Sequence, residues 1–265
     1  MSTGATFDGP AGRPLQWVAM RVRALVVLAV AALVTAPAVA AAQTPVEAAR
    51  ALVARYHEDP TVIDRARDLL EAALARERQV DTMVMLSYVH FLYGDIRATT
   101  VDDKLAAYDR GREIGQRAVE LAPRNPEAHV WYGINTGRWG LTKGVMRSLF
   151  LLPTVREQVD ATLALDPRNL RALALSGNVY LEVPGLFGGD REKAEQQFRR
   201  ALEIDPHFTV ARVDLARVLI AKGQYADARR ELQRVIDERA PTSIADWTVK
   251  DRPRARELLD SIKGK

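Results

Sequence analysis

The 265 residues contain no cysteine. A disulfide framework, a thiolate-ligated zinc, a cysteine nucleophile and a lipid-bearing cysteine are all excluded by that absence. Histidine is scarce as well. His57, His90, His129 and His207 are the only four, none stands within a helical turn of another, and HExxH does not occur, so no metal site of familiar spacing is expected. Aromatic residues make up only 6%, a composition that suits helices rather than β-sandwiches. Neither sign of charge prevails. Lys and Arg number 38 against 34 Asp and Glu, and residues 43–265 carry a net charge of only +2, which gives no electrostatic footing to nucleic-acid binding. Long apolar runs are missing too: the one unbroken run, Ala24 to Val34, has 11 residues, whereas a membrane-spanning helix needs about 20.

That short run has an address-like context. Arg21 and Arg23 precede it, and Pro37 and the small residues Ala38 to Ala42 follow it. A basic segment, an apolar segment and an A-x-A region in that order predict a secretory signal peptide, cleaved after Ala40 or after Ala42. With its flanking alanines the run also suits an uncleaved anchor, which would tether the protein to the membrane. Met1 to Trp17 is rich in Gly, Pro and polar residues and reads as a disordered extension, with Met20 as the expected start. The division expected is 1–42 as extension and signal, and 43–265 as one folded domain. The expected location is the periplasm, in soluble form if the signal is removed.

What is present in the remaining chain is a repeat. AVELAPRNPEA (118–128), TLALDPRNLRA (162–172) and ALEIDPHFTVA (201–211) end alike, and VIDERAPTS (235–243) is a looser copy. Their marker prolines, Pro123, Pro167, Pro206 and Pro241, lie at spacings close to those of the tetratricopeptide repeat (TPR), a helix pair with a proline at its end. Small residues such as Ala216 and Ala228 let the two helices approach, while Leu215, Leu219 and Leu232 fill the groove between them. The proline ends the second helix because the residue before it is pushed out of the helical region. The expected helices are 45–57 with 61–77, 80–95 with 102–122, one around Trp131 with one from about Arg147 or Pro153 to Leu165, one around Leu173 to Tyr180 with one around Ala194 to Ala201, a last pair around Leu215 and Leu232, and a closing helix from Pro253 to Ile262. Insertions are expected at Gly137–Gly144 and Val183–Asp190. The fold expected is all-α, an irregular TPR-like α-solenoid of about five helix pairs plus a C-terminal capping helix.

No catalytic constellation appears. GINTGRWGLTKG (133–144) has its Lys and Thr in the wrong order for a phosphate loop, and G-x-S-x-G is missing. The protein is therefore expected to be no enzyme and to need no cofactor. One cluster stands out beside the insertions: Trp131, Tyr132, Asn135, Arg138, Trp139 and Phe187. Trp131, Asn135 and Arg138 recur at helical spacing and share a face. They fit a surface for a partner segment or an anionic ligand, and the two tryptophans equally fit packing of the insertions onto the solenoid. Asp190 is expected to cap the helix that follows it.

The strings WYGINTGRWG (131–140), LLPTVREQVDATLALDP (151–167) and LEVPGLFGGDREKAEQQFRRALEIDP (181–206), with Asp246-Trp247 before a charged helix, resemble the T-components of tripartite ATP-independent periplasmic (TRAP) transporters. The resemblance implies a non-catalytic helical scaffold that associates with the transporter's substrate-binding subunit and, in some members, forms homotrimers around a ligand-accessible channel. Carried onto this sequence it points to Trp131, Tyr132, Asn135, Arg138, Trp139, Pro184, Phe187, Gly188, Gly189 and Asp190 as partner- or ligand-binding residues. Lipid-anchored members of that group differ from this chain, which has no cysteine to carry a lipid. Two further roles suit the same fold: a general adaptor for envelope assembly, and a holder of a small ligand.

Overall fold

The computed structural model describes residues 1–6 and 43–265. The expected signal peptide and the cleavage sites at Ala40 and Ala42 lie outside the described residues. Residues 43–265 form one compact unit. Among the described residues there are eleven α-helices of nine residues or more: α1 (Pro45–Val53), α2 (Val62–Arg76), α3 (Val80–Leu92), α4 (Val101–Leu121), α5 (Pro126–Lys143), α6 (Val145–Leu165), α7 (Leu170–Glu182), α8 (Arg191–Ile204), α9 (Thr209–Ala221), α10 (Tyr225–Ile236) and α11 (Arg252–Ser261). No strand occurs among them. They pair as α1/α2, α3/α4, α5/α6, α7/α8 and α9/α10, with α11 packed on α10. This is the expected irregular TPR-like solenoid with its closing helix.

Local chemistry sets the boundaries. The Thr44 side chain accepts from the Glu47 N–H at 3.2 Å and Glu47 bonds back to the Thr44 N–H at 2.9 Å, a reciprocal cap at the start of α1. Asn125, Asn169 and Asp190 cap α5, α7 and α8 through their side-chain oxygens. Helices α4, α6 and α8 stop two residues before Pro123, Pro167 and Pro206, where a prolyl ring excludes the helical conformation just upstream. Small residues take the tight places between helices: a Cβ on Gly177 would lie 2.6 Å from the Phe198 ring, so α7 and α8 close on a fully buried phenylalanine only because that side chain is missing.

The structure departs from the sequence reading at three places. Gly137–Gly144 is not an insertion: α5 runs unbroken through Gly137 and Gly140 to Lys143. Its glycines serve close helix contact, since a Cβ on Gly133 would lie 3.1 Å from Gln158 Cβ and one on Gly140 would lie 3.1 Å from Ser148 Cα. That contact offsets the ~1 kcal/mol helical penalty of each glycine. Second, α6 begins at Val145 and carries Pro153 inside it. Third, the helix expected over 80–95 ends at Leu92 and continues as a π-helical turn, Tyr93–Arg97. A second π turn, Trp247–Asp251, precedes α11.

Two large clusters form the core. One joins α1 to α4 around Leu70, Leu86 and Leu92, and the other joins α7 to α11 around Phe198, Leu215 and Leu232. The first helices of successive pairs also touch, α1 on α3, α3 on α5, α5 on α7 and α7 on α9. They make a continuous inner row, and this row positions the site.

Candidate partner-binding site

The inner row carries aromatic and polar side chains in sequence along its length. On α3 and α5, Trp131 stacks against Tyr88 with ring centroids 4.4 Å apart and against Phe91 at 5.5 Å. Arg171 of α7 lies over the Trp131 ring at 5.2 Å. Further along, Asn178 donates to Asp214 of α9 at 2.8 Å, and Arg217 donates to Asn178 at 3.1 Å and to Asp214 at 3.0 Å.

A polar hub sits where the two π turns meet. Asp95, in the first, accepts from Arg138 at 2.6 Å, from Lys250 of the second at 3.0 Å and from the Tyr108 hydroxyl at 2.7 Å. Its carboxylate side chain is 5% exposed. Burial works against its charge, but Arg138 and Lys250 outweigh that and hold the carboxyl below its usual range. Nearby, the Tyr56 hydroxyl donates to Asp246 at 2.8 Å. Burial, reinforced by the Asp246 charge, pushes the Tyr56 phenol upward. Ala245 joins the N-terminal core, while Trp247 joins the C-terminal core and donates to the Val235 carbonyl at 2.7 Å. The segment Ser243–Asp251 therefore lies across the inner row and is held there by its own side chains.

The sequence candidates do not gather into one site. Trp131 is 4% exposed and Asn135 is fully buried, so neither presents a surface to a partner. Trp131 packs three helices together. Asn135 Nδ2 donates to the Ser87 carbonyl at 3.0 Å and the Trp131 carbonyl at 3.0 Å, which makes it a satisfied core amide apart from its unpartnered Oδ1. Tyr132 is half-buried, with its carbonyl bonded by Thr136 at 2.7 Å. Arg138 reaches the hub. Trp139 lies elsewhere, under the cations Arg112 at 4.9 Å, Lys143 at 5.6 Å and Arg147 at 5.7 Å.

The loop residues stand apart from these. Pro184 and Phe187 are exposed. Gly188 has φ +89° and its carbonyl, like that of Phe187, accepts from Arg156 of α6. A Cβ on Gly189 would fall 1.7 Å from the Val183 oxygen, and Asp190 Oδ1 caps α8 by accepting from the Lys193 N–H at 3.0 Å. The residues that build the hub, Asp95, Lys250, Tyr108, Tyr56 and Asp246, were not among the candidates. A lone Asp in a GDIR string and a lone Lys in a TVKD string carry no spacing signal. Asp246-Trp247 stood out only through a resemblance. Among the described residues no group of three or more His, Asp or Glu side chains is arranged to hold a metal ion, and no helix is long and apolar enough to cross a membrane.

Comparison with known proteins agrees with the fold. A solved thermophilic TPR protein of Thermus thermophilus superposes with a TM-score of 0.60 at 18% identity, over 82% of this chain and 98% of that one; at that identity the likeness is one of fold. Regulator of microtubule dynamics protein 3 of Bos taurus is 28% identical over 116 residues, 38% of this chain and 25% of the relative. BBSome complex member BBS4 of Bos taurus is 29% identical over 116 residues, 44% of this chain and 18% of the relative. The chain thus spans a quarter or less of the length of these curated relatives. Residues 188–246 match the tetratricopeptide repeat. Over residues 46–186, more than half of its length, the chain matches and belongs to the family described as regulator of microtubule dynamics protein 1-3.

Proposed function

We propose that the protein is a non-catalytic, exported scaffold that uses its helical repeats to hold a protein partner. TPR-like arrays present binding surfaces rather than reaction centres. The observation that carries the reading is the way Ser243–Asp251 lies on the inner row. Acid–amine and acid–phenol contacts hold a polypeptide segment there, Lys250 to Asp95 at 3.0 Å and Tyr56 to Asp246 at 2.8 Å. This face is chemically suited to polypeptide.

The partner we propose is the periplasmic substrate-binding subunit of a TRAP-type solute transporter, with the protein acting in the periplasm as a soluble accessory and as a homotrimer. The support is the resemblance carried by residues 131–140, 151–167 and 181–206. The test is co-purification of the full chain with such a subunit, together with N-terminal sequencing of the exported form. Arg138→Ala and Trp139→Ala are expected to weaken capture, since both side chains are at least partly exposed. A folded protein that captures no substrate-binding subunit would overturn the partner assignment, and a chain that keeps its N-terminus intact in the cytoplasm would overturn the location.

A further inference from the structure

The turn between α5 and α6 has a feature that partner binding on the inner row does not use. Leu141, Val145, Met146 and Phe150 are 55%, 69%, 69% and 74% exposed. One third of the exposed large hydrophobics among the described residues thus falls within ten positions, at the tip of one helical hairpin. Single exposed apolar residues are ordinary, whereas a cluster of large ones marks a contact surface. Met146 and Phe150 stand one turn apart on one face of α6. Gly144, with φ +114°, makes the turn, and the close approach at Gly140 and Ser148 holds the two helices together beneath it.

Charge says what that surface meets. No acidic residue occurs between Glu127 and Glu157, a stretch that holds Arg138, Lys143, Arg147 and Arg156. Lys143 and Arg147 flank the Trp139 ring at 5.6 and 5.7 Å, and neither makes an ion pair among the described residues. Exposed aliphatic and phenyl groups at a tip, an indole behind them and unpaired cations around it are the parts that seat a protein in the headgroup region of an anionic bilayer. A second copy of the chain fits poorly. Two-fold packing of this patch on itself would set Lys143 and Arg147 against their own counterparts. Elsewhere among the described residues the exposed large hydrophobics stand singly or in twos along the chain.

We infer that the α5–α6 tip is a membrane-surface contact, inserting Leu141, Val145, Met146 and Phe150 among the headgroups of an anionic lipid leaflet while Lys143 and Arg147 meet the lipid phosphates. This goes beyond the scaffold role and does not rest on it. The lack of cysteine makes the test direct. A single thiol is introduced into the full chain as Met146→Cys and carries an environment-sensitive fluorophore. Arg230→Cys on α10, also exposed, carries the same dye as control, so that tethering by any other segment affects both alike.

With vesicles of phosphatidylcholine and phosphatidylglycerol in equal parts, the dye at position 146 is expected to shift to the blue and the control dye to stay unchanged. Vesicles of phosphatidylcholine alone should leave both unchanged. Adding Lys143→Gln and Arg147→Gln should weaken partition about 25-fold, from a roughly fivefold loss per cation beside an anionic surface. The inference is overturned if the dye at position 146 does not respond to anionic vesicles, or if its response survives loss of both cations. A shift without lipid that grows with protein concentration would overturn it in favour of self-association.

Discussion

Asp251 links protonation to stability near neutral pH. Its side chain lies in the second π turn, is 4% exposed and accepts from the Thr209 hydroxyl at 2.6 Å. Burial pushes its carboxyl up from 3.8 to about 7. The Thr209 hydroxyl and Lys250 pull it down, and Asp246 and Asp214 push it further up. A shift of about three units corresponds to ~4 kcal/mol at 1.36 kcal/mol per unit. Between the two values the native state holds a proton that the unfolded chain has released. Stability therefore falls as pH rises through that window and levels off above about pH 8.

Asp251→Asn keeps an oxygen to accept from Thr209 and removes the charge. The variant should gain on the wild type as pH rises, by roughly 2–3 kcal/mol between pH 5 and pH 8. That is a large share of the 5–15 kcal/mol typical of a domain. Urea unfolding of both proteins at the two pH values measures it. Any cost of repacking the amide is the same at both values, so the change in the difference isolates the ionisation. A difference that stays constant with pH would refute the reasoning, and a variant that loses ground to the wild type as pH rises would reverse it.

The hub yields another test. Asp95→Ala leaves Arg138 without its counter-charge, Lys250 with only Asp246 at 3.7 Å, and Tyr108 without its acceptor. It should lower unfolding free energy by about 2–4 kcal/mol, discounted for the partial exposure of both cations, and should open Ser243–Asp251 to limited proteolysis; unchanged cleavage there would show that the hub does not hold the segment. Trp131→Ala should act on stability, costing about 3–5 kcal/mol for a buried indole, as read by thermal denaturation. A stable Trp131→Ala protein with weakened partner capture would contradict its burial.

The helix pairs were legible because their signals are local. A cap, a small–large pairing and a terminal proline each act within a few residues, so Asp190, Ala228 and Pro206 announce their roles in place. The glycines of α5 misled for a related reason: Gly140 looks like a turn residue when read alone, and only the Ser148 backbone of the partner helix explains it. Asn135 misled in the same manner, since an amide in a helix reads as exposed until the Ser87 carbonyl that satisfies it is known. The hub was invisible because it joins residues far apart in the chain. Hydrophobic patterning marks α3, apolar nearly all round, as a buried helix but not which distant turn will deliver a lysine to Asp95.

A solenoid ordinarily has two ends, and each repeat senses only its neighbours, so melting starts at a terminus and travels inward. Here Tyr56 bonds to a residue 190 positions away and Asp95 to one 155 away. Those contacts turn a linear stack into a circuit. The first helix pair cannot fray without releasing the last turn, and the last turn cannot leave without exposing the first. Such a chain should unfold as one cooperative unit, and its slowest folding step should be the closing of that circuit, where the greatest length of chain must be brought together.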